Sequence, residues 1–483
     1  MGRLLTRRNF LRASLGAAGA ATLAACGATP TPQVVEKVVT QVVQGTPQVV
    51  KETVVVKETA VVEKEVTVAA APTEKAKIVV YECCWNADHI KAGKALYETF
   101  RQNNPNLDVE DFWPLPDQGW LEVLLAKVAA NEQIDIIWWC AAYQKFAQDG
   151  RLLDLQPLLD ADQSFKLEGT FFDPSIDYCY DKPGRKGPVW GLPTNYATVL
   201  LWYNIDMFDK AGVKYPDDNW TYDDLLTAAK ALTKVGADGT TEEWGFTMSS
   251  DAWYYEPIIK AMGGGIVDVD GAGCLLTKKE SVDALQWLQD LLWKYKVQPL
   301  PENTAAMGED AMFISGKLAM VIRPEWAQFN FLPPHQSEGL KYGVALMPKG
   351  PAGRITNYWP GITSITSSCK APKAAWEVAK FITSDQYQRT MTVFLPESPA
   401  ARIETTTYRF TDYDKYPDDR HALLESPKYG SLYYEEMRYG NEMTNILKPA
   451  MDPVWLNQAK PAEVVGPICD QMTAKIAELK PKA

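Results

Sequence analysis

From Lys77 onward, short solid runs of apolar residues alternate with apolar stripes spaced three and four apart, the two periods of buried strands and amphipathic helices. Ile78-Val79-Val80-Tyr81 is a strand-length run, Leu96 and Phe100 lie four apart in the stretch after it, and Asp108 to Phe112 reads as extended. Leu121, Leu124, Leu125 and Val128 then share a helix face before the run Asp135-Ile136-Ile137-Trp138-Trp139. Strand, helix, strand, helix, strand predicts an α/β fold, with a mostly parallel sheet flanked by helices on both faces. Helix boundaries are legible further along. Thr221-Tyr222-Asp223-Asp224 reads as a capping box opening a helix with Leu225, Ala229 and Leu232 on one side. Val282, Leu285, Leu288 and Leu292 form another stripe, and Pro372 suits the first turn of a helix carrying Trp376 and Ile382. All these stripes are read as core. Gly263-Gly264-Gly265 is read as a turn, since the Lys-Ser/Thr of a phosphate-cradling loop does not follow it.

The amino terminus follows another pattern. Thr6-Arg7-Arg8-Asn9-Phe10-Leu11-Arg12 and the Ala-rich stretch up to Ala25 read as a twin-arginine export signal, too short and too interrupted by Gly16 and Gly19 for a membrane span. Leu23-Ala24-Ala25-Cys26 resembles the bacterial lipobox, which implies acylation of Cys26 after cleavage of residues 1–25. Residues 26–76 are a low-complexity run of Val pairs, Lys, Glu, Thr and Gln, expected to be a solvated spacer; the Val pairs at 34, 38 and 42 leave self-association as the alternative. The remaining residues, about 405, carry enough aromatic and aliphatic side chains for two domains.

Net charge is −12, and losing four arginines and no acids with the signal takes it to −16. Such acidity, with no cluster of Lys and Arg, excludes nucleic acid as a partner. Cysteines after Cys26 stand at 83, 84, 140, 179, 274, 369 and 469, without a C-x-x-C pair or metal-type spacing. Because twin-arginine export carries proteins folded in the reducing cytoplasm, these are expected to be ordinary buried residues rather than a disulfide framework. No metal and no cofactor is expected.

The order of these pieces resembles the bacterial extracellular solute-binding proteins of the sugar-binding type, the group that includes maltodextrin-binding proteins. The resemblance runs from about residue 77 to 480 and rests on several stretches. Phe100 to Val109 looks like the family's helix-to-second-strand junction, and Ile134-Asp135-Ile136 like its third strand, with Ile134 where proline is usual. More specific are Trp190-Gly191-Leu192-Pro193 through Trp202-Tyr203-Asn204, then Phe313 to Met320 followed by Trp326, then Tyr342-Gly343-Val344 with Met347-Pro348-Lys349-Gly350, and then Trp376 to Ser384. The resemblance implies a two-lobed clamshell with crossovers near Pro193–Val199 and Ile355–Gly361. Its amino lobe would comprise 77–194 and 361–395, and its second lobe 195–360 and 396–483. It also implies a binding subunit rather than an enzyme, monomeric in the family's manner, held to the outer face of the cytoplasmic membrane by the acyl anchor. Its partners would be a carbohydrate and an ABC permease with its ATPase subunits.

A sugar has apolar C–H faces and a rim of hydroxyls, so its site needs flat aromatics and short polar side chains. Trp85 and Trp139 are expected at strand ends, where open α/β sheets face a ligand crevice. Asn195 and Tyr196 lie beside the first crossover, Trp253 precedes Tyr254-Tyr255, Glu325 and Trp326 follow Arg323-Pro324, and Trp359 and Gly361 belong to the second crossover. Arg402 stands where the family chain returns to the cleft, and Trp326 where the family places a stacking tryptophan. Packing is the competing reading for every aromatic, capping or solvation for Asp88, Asn195 and Glu325, and a surface salt bridge for Arg402. Two rival functions remain. One is a lipoprotein glycoside hydrolase with paired carboxylates, though the chain has only His89, His335 and His421 and lacks Gly-x-Ser-x-Gly and His-Glu-x-x-His. The other is the same binding fold holding a polyol phosphate, a polyamine or a peptide.

Overall fold

The computed structural model describes residues 75–83, 86–114, 119–139, 143–268, 273–395, 398–433 and 439–479, with the backbone of 49–50 and 66–67. Cys26 and Trp85 lie outside the described residues. Chain contacts divide into two units, Met1–Glu74 and Lys75–Ala483. In the first, Val49-Val50 pairs antiparallel with Val66-Thr67.

The second unit is built on one eight-stranded sheet. Its elements begin as the apolar pattern predicts: β1 (Ala76–Tyr81), α1 (Ala87–Asn103), β2 (Leu107–Phe112), α2 (Trp120–Ala129) and β3 (Ile136–Trp139). α1 starts where Asn86 accepts from the backbone N–H of Asp88 and His89, so Asp88 sits exposed in a capped first turn. In α2 the expected face is narrower than the stripe suggested: Leu124 is buried, whereas Leu125 is 48 % exposed. β1 pairs parallel with both β2 and β3.

After the short helix α3 (Asp173–Tyr178) comes β4 (Leu192–Asn204), the 13-residue strand on which the two halves of the fold are hung. Its amino half runs antiparallel to β7 (Thr356–Ile365), which is in turn antiparallel to β3. Its carboxyl half lies between β5 (Met320–Pro324) and β6 (Tyr342–Ala345), both antiparallel to it. The sheet is therefore mixed: parallel pairing holds for β1 with its neighbours and for β7 with β8 (Gly430–Leu432), and the long crossover strands are antiparallel because they run back between the halves.

Three apolar cores follow from this arrangement. The first gathers Ile78, Val80, Phe100, Trp138, Ile362, and Trp376 from the helix Pro372–Ile382, which starts on its proline as expected. Along the carboxyl half of β4 the strand alternation sends Val199, Leu201 and Tyr203 into a second core and Leu200 and Trp202 into a third on the opposite face. The second core takes Leu225 and Leu232 from α4 (Tyr222–Leu232), whose Thr221–Asp224 capping box forms as predicted, and Leu285 and Leu288 from α6 (Lys279–Trp293). Helix α5 (Ala252–Ala261) also lines the second core, and α7 (Glu309–Ile314) gives Met312 and Phe313 to the third.

The chain passes between the halves a third time. Ala401 is part of the first core, and Thr405 donates to Asp385 at 2.6 Å. Beyond Tyr408 the contacts change: Phe410 joins the third core, and the Tyr416 hydroxyl accepts from the Tyr342 N–H at 2.8 Å.

The cysteine expectation is corrected. Cys274, just before α6, is bonded to Cys469 on the final helix Pro461–Leu479, and Cys83 is disulfide-bonded as well. Packing of that helix against α6 brings the two Cα atoms to 5.3 Å, inside bonding reach, although 195 residues separate them. Cys179 and Cys369 are free thiols. Among the described residues no helix is long and apolar enough to cross a membrane.

Candidate functional site

The site is built around the β4–β7 ribbon. Tyr358 pairs with Thr198, Trp359 with Ala197 and Pro360 with Tyr196, and the register slips between Pro360 and Ile362, where Gly361 sits. A Cβ on Gly361 would come within 2.0 Å of Asn195 Oδ1, so glycine is what lets this side chain lie against the opposite strand. A third segment joins there: the Tyr196 N–H donates to the Pro399 carbonyl at 2.9 Å, and the Ala401 N–H to the Thr194 carbonyl at 2.8 Å.

Alternation places Asn357, Trp359 and Gly361 on one face of β7, along with Asn195 and Ala197 of β4. That face is reached by α5, because the Trp253 carbonyl accepts from Asn357 Nδ2 at 2.8 Å. Asp251 caps α5 by accepting from the Trp253 N–H at 3.0 Å, and the Trp253 ring stands edge-on to Tyr433 at 5.0 Å. Asn357 Oδ1 is a buried acceptor with no protein partner. Next to Trp253, half-buried Tyr254 lies under the Arg323 guanidinium at 5.4 Å. Arg323, the last residue but one of β5, pairs with Asp310 at 2.7 Å and with Glu309, both in the first turn of α7. Trp326 follows on a single 3-10 turn, Glu325–Ala327, and is half-buried. The first turn of α5, the end of β5 and the β7 face thus converge and carry four half-buried aromatics, Trp253, Tyr254, Trp326 and Trp359.

Three expected site residues turn out to be interior. Trp139 is 1 % exposed, packed edge-on to Phe146 at 4.8 Å and Trp120 at 6.2 Å, because β3 is paired on both edges and covered on both faces. Tyr196 is fully buried on the other face of the ribbon, stacked on Tyr358 at 5.2 Å. Glu325 is also buried and accepts the Thr198 N–H with both carboxylate oxygens, at 2.7 and 3.0 Å. Arg402 is half-buried rather than a surface salt bridge; it lies over Phe171 at 5.9 Å and donates to the Thr383 carbonyl at 3.5 Å. Tyr254 and the Arg323–Glu309–Asp310 cluster were not anticipated. The Trp253-Tyr254-Tyr255 run was the only signal for Tyr254, and nothing local pairs Arg323 with acids 13 and 14 residues earlier.

Burial raises the Glu325 carboxyl from its ordinary 4.5 to about 7, partly opposed by its bonds to Thr198 and by Arg409. A carboxyl raised on folding contributes stability that is complete below about 4.5 and lost as pH rises through about 7. Glu325→Gln cannot ionise, so its stability relative to the wild type is expected to rise between pH 5 and pH 8, by on the order of 3 kcal/mol. Urea melts of both proteins across that range check this; a constant difference would contradict it.

The family described as bacterial extracellular solute-binding protein matches residues 86–389. A Brucella abortus protein named as a binding protein is 26% identical over 380 residues, 76% of this chain and 85% of that protein. The arabinooligosaccharide-binding protein of Bacillus subtilis is 29% identical over 198 residues, 41% of this chain and 42% of its own length. An ABC substrate-binding protein of Listeria monocytogenes, solved with cycloalternan, superposes with a TM-score of 0.68 at 22% identity, over 83% of this chain and 99% of that one. The chain belongs to the bacterial extracellular solute-binding protein family, and its fold is the two-lobed one of that group.

Proposed function

We propose that this member of the family is the extracytoplasmic binding subunit of an ABC importer and that it holds a sugar or short oligosaccharide between two lobes. The observation that carries the reading is that the first turn of α5, bonded to β7 through Asn357 and lying under Arg323 of β5, and the strand and turn beside it carry Trp253, Tyr254, Trp326 and Trp359, each half-buried, near the amide of Asn195. Flat, partly exposed rings suit the C–H faces of pyranose or furanose rings, and amide and carboxylate groups suit their hydroxyls. The relatives named for arabinooligosaccharide and maltotriose support the same ligand class. One lobe would comprise 77–194 with 361–408 rather than 361–395, and the other 195–360 with 409–483; the contacts of Ala401, Thr405 and Phe410 support putting the third crossing after Tyr408. Rotation at the three crossings would close the lobes on ligand for a membrane permease to recognise.

A thermal-shift screen of Lys75–Ala483 against oligosaccharides, monosaccharides, polyol phosphates, polyamines and peptides tests the reading. A selective ligand at 100 times its Kd adds about 2.7 kcal/mol of stability. The expected result is a rise with an oligosaccharide that is recovered intact. A sugar returned cleaved would make the protein a hydrolase, and a response confined to another class would replace the ligand. Gly361→Ala is expected to displace Asn195, costing about 1–2 kcal/mol of stability and weakening sugar binding; titration calorimetry showing unchanged affinity would remove Asn195 from the site. We also read Cys26 as the acylated residue that tethers the protein through the spacer 26–76. Cys26→Ser is expected to move it from the detergent phase to the aqueous phase on phase partition; retention in the detergent phase would count against the anchor.

A further inference from the structure

Glu325 lies one residue before Trp326, yet none of its carboxylate is open to a ligand. Its place is explained by β4. Thr198 is the residue at which that strand changes neighbours: it pairs with Tyr358 of β7, while the next residue, Val199, pairs with Pro324 at the very end of β5. The β5 ladder stops there, and the Thr198 N–H would be a buried donor beyond its reach. Glu325 continues the ladder with a side chain, accepting that N–H with both oxygens at 2.7 and 3.0 Å, and the Thr198 hydroxyl bonds the same carboxylate. Ser426, on the turn Ser426–Tyr429, closes the cluster with its Oγ 2.7 Å from Thr198 Oγ1 and 3.5 Å from Glu325 Oε1. The other groups facing the carboxylate are the buried tyrosines Tyr196 of β4 and Tyr358 of β7, and Arg409 on the third crossing, whose charge favours the ionised form.

We propose that Glu325 is a positioning residue for ligand binding: it fastens the turn carrying Trp326 to the point of β4 where the chain passes between the lobes. This rests on the reading of Trp326 as a ligand-stacking surface. The 3-10 turn Glu325–Ala327 opens the helix Gln328–Glu338, and the tie of Glu325 to Thr198 anchors that amino end to the crossover strand, which sets where the indole lies. The same tie makes Trp326 move with the crossover strand rather than independently of it. A carboxylate or an amide can make this tie, since either supplies an oxygen acceptor; a methyl group cannot.

The test compares Glu325→Ala and Glu325→Gln in the mature chain from Cys26, with and without maltotriose as the probe. Without ligand, two signals report the tie directly: hydrogen exchange of the peptide spanning Thr198, and the part of the tryptophan emission that Trp326→Phe removes. Glu325→Ala is expected to speed exchange and weaken maltotriose binding at least about tenfold, the worth of one lost bond to a charged acceptor, and to red-shift the Trp326 emission. Glu325→Gln is expected to restore exchange, emission and affinity to near wild type. If Glu325→Ala does not fold, Glu325→Asp takes its place, the shorter side chain drawing the turn out of position with the same signs. The proposal is overturned if the alanine or aspartate variant leaves exchange and emission unchanged. It is overturned equally if Glu325→Gln loses affinity while exchange and emission stay normal, which would make Glu325 a direct ligand acceptor. A wild-type chain that ignores every sugar would count against the sugar reading alone, because the two ligand-free signals still decide on Glu325.

Discussion

Trp326→Ala is expected to weaken oligosaccharide binding by about 100-fold while the melting temperature of the ligand-free protein moves by no more than about 2 °C. The two halves of this expectation have separate causes. The indole is half-buried, so little apolar contact is lost on truncation, and the turn beneath it is held through Glu325, whose bonds to Thr198 do not involve the ring. A sugar stacked on that ring would lose a large flat surface in a desolvated place, where aromatic anchors are worth roughly 2–3 kcal/mol. Trp139 is the contrasting control. Being 1 % exposed in the first core, its replacement by alanine should cost roughly 3–5 kcal/mol of stability. Titration calorimetry and thermal melts on the two variants separate the roles. Affinity within threefold of wild type for Trp326→Ala would remove it from the binding surface, and a melting temperature that collapses with it would make it a core residue.

Removing the Cys274–Cys469 bond is expected to cost about 5 kcal/mol in the chain-entropy account, since it closes a loop of 195 residues in the unfolded chain. The loss should concentrate on the carboxyl-terminal helix Pro461–Leu479, which that bond joins to the segment leading into α6. The helix also packs Val465, Ile468, Met472 and Ile476 into the second core, so it should remain docked in native buffer and detach early in denaturant. Because Cys83 is disulfide-bonded too, a reductant would open more than one bridge. The double variant Cys274→Ala, Cys469→Ala isolates this one. Urea unfolding followed by hydrogen exchange of residues 461–479 checks it; a midpoint equal to that of the oxidised wild type would refute a stabilising role.

Much of the local structure was legible in the residues. The run at Ile78 to Tyr81, the Thr221–Asp224 capping box and the helix starting on Pro372 each depend on contacts within a few positions, and each forms where the pattern puts it. The family was legible too, because its stretches keep their order along the chain. Site residues were less so. Asn195 and Gly361 do meet, and Trp253, Trp326 and Trp359 remain partly open, but Trp139, Tyr196 and Glu325 are enclosed. That a strand end faces a crevice is the expectation behind Trp139, and it fails where the strand is covered on both faces, which neither Trp139 nor its neighbours reveal.

The sequence by itself determined the α/β class, the helix starts, the family and the aromatic richness of the crossover region. The class, the helix starts and the aromatic richness follow from periodicity, capping and composition, which act over short stretches of chain, and the family from the resemblance of ordered stretches to it. Only the tertiary structure decided that β4 serves both halves, that Cys274 bonds Cys469, that Tyr254 lies under Arg323, and that Glu325 reaches Thr198 across 127 residues. Each of those is a meeting of groups far apart along the chain. Which distant donor finds which acceptor is set by how the sheet pairs and the helices pack, and no local pattern carries that information.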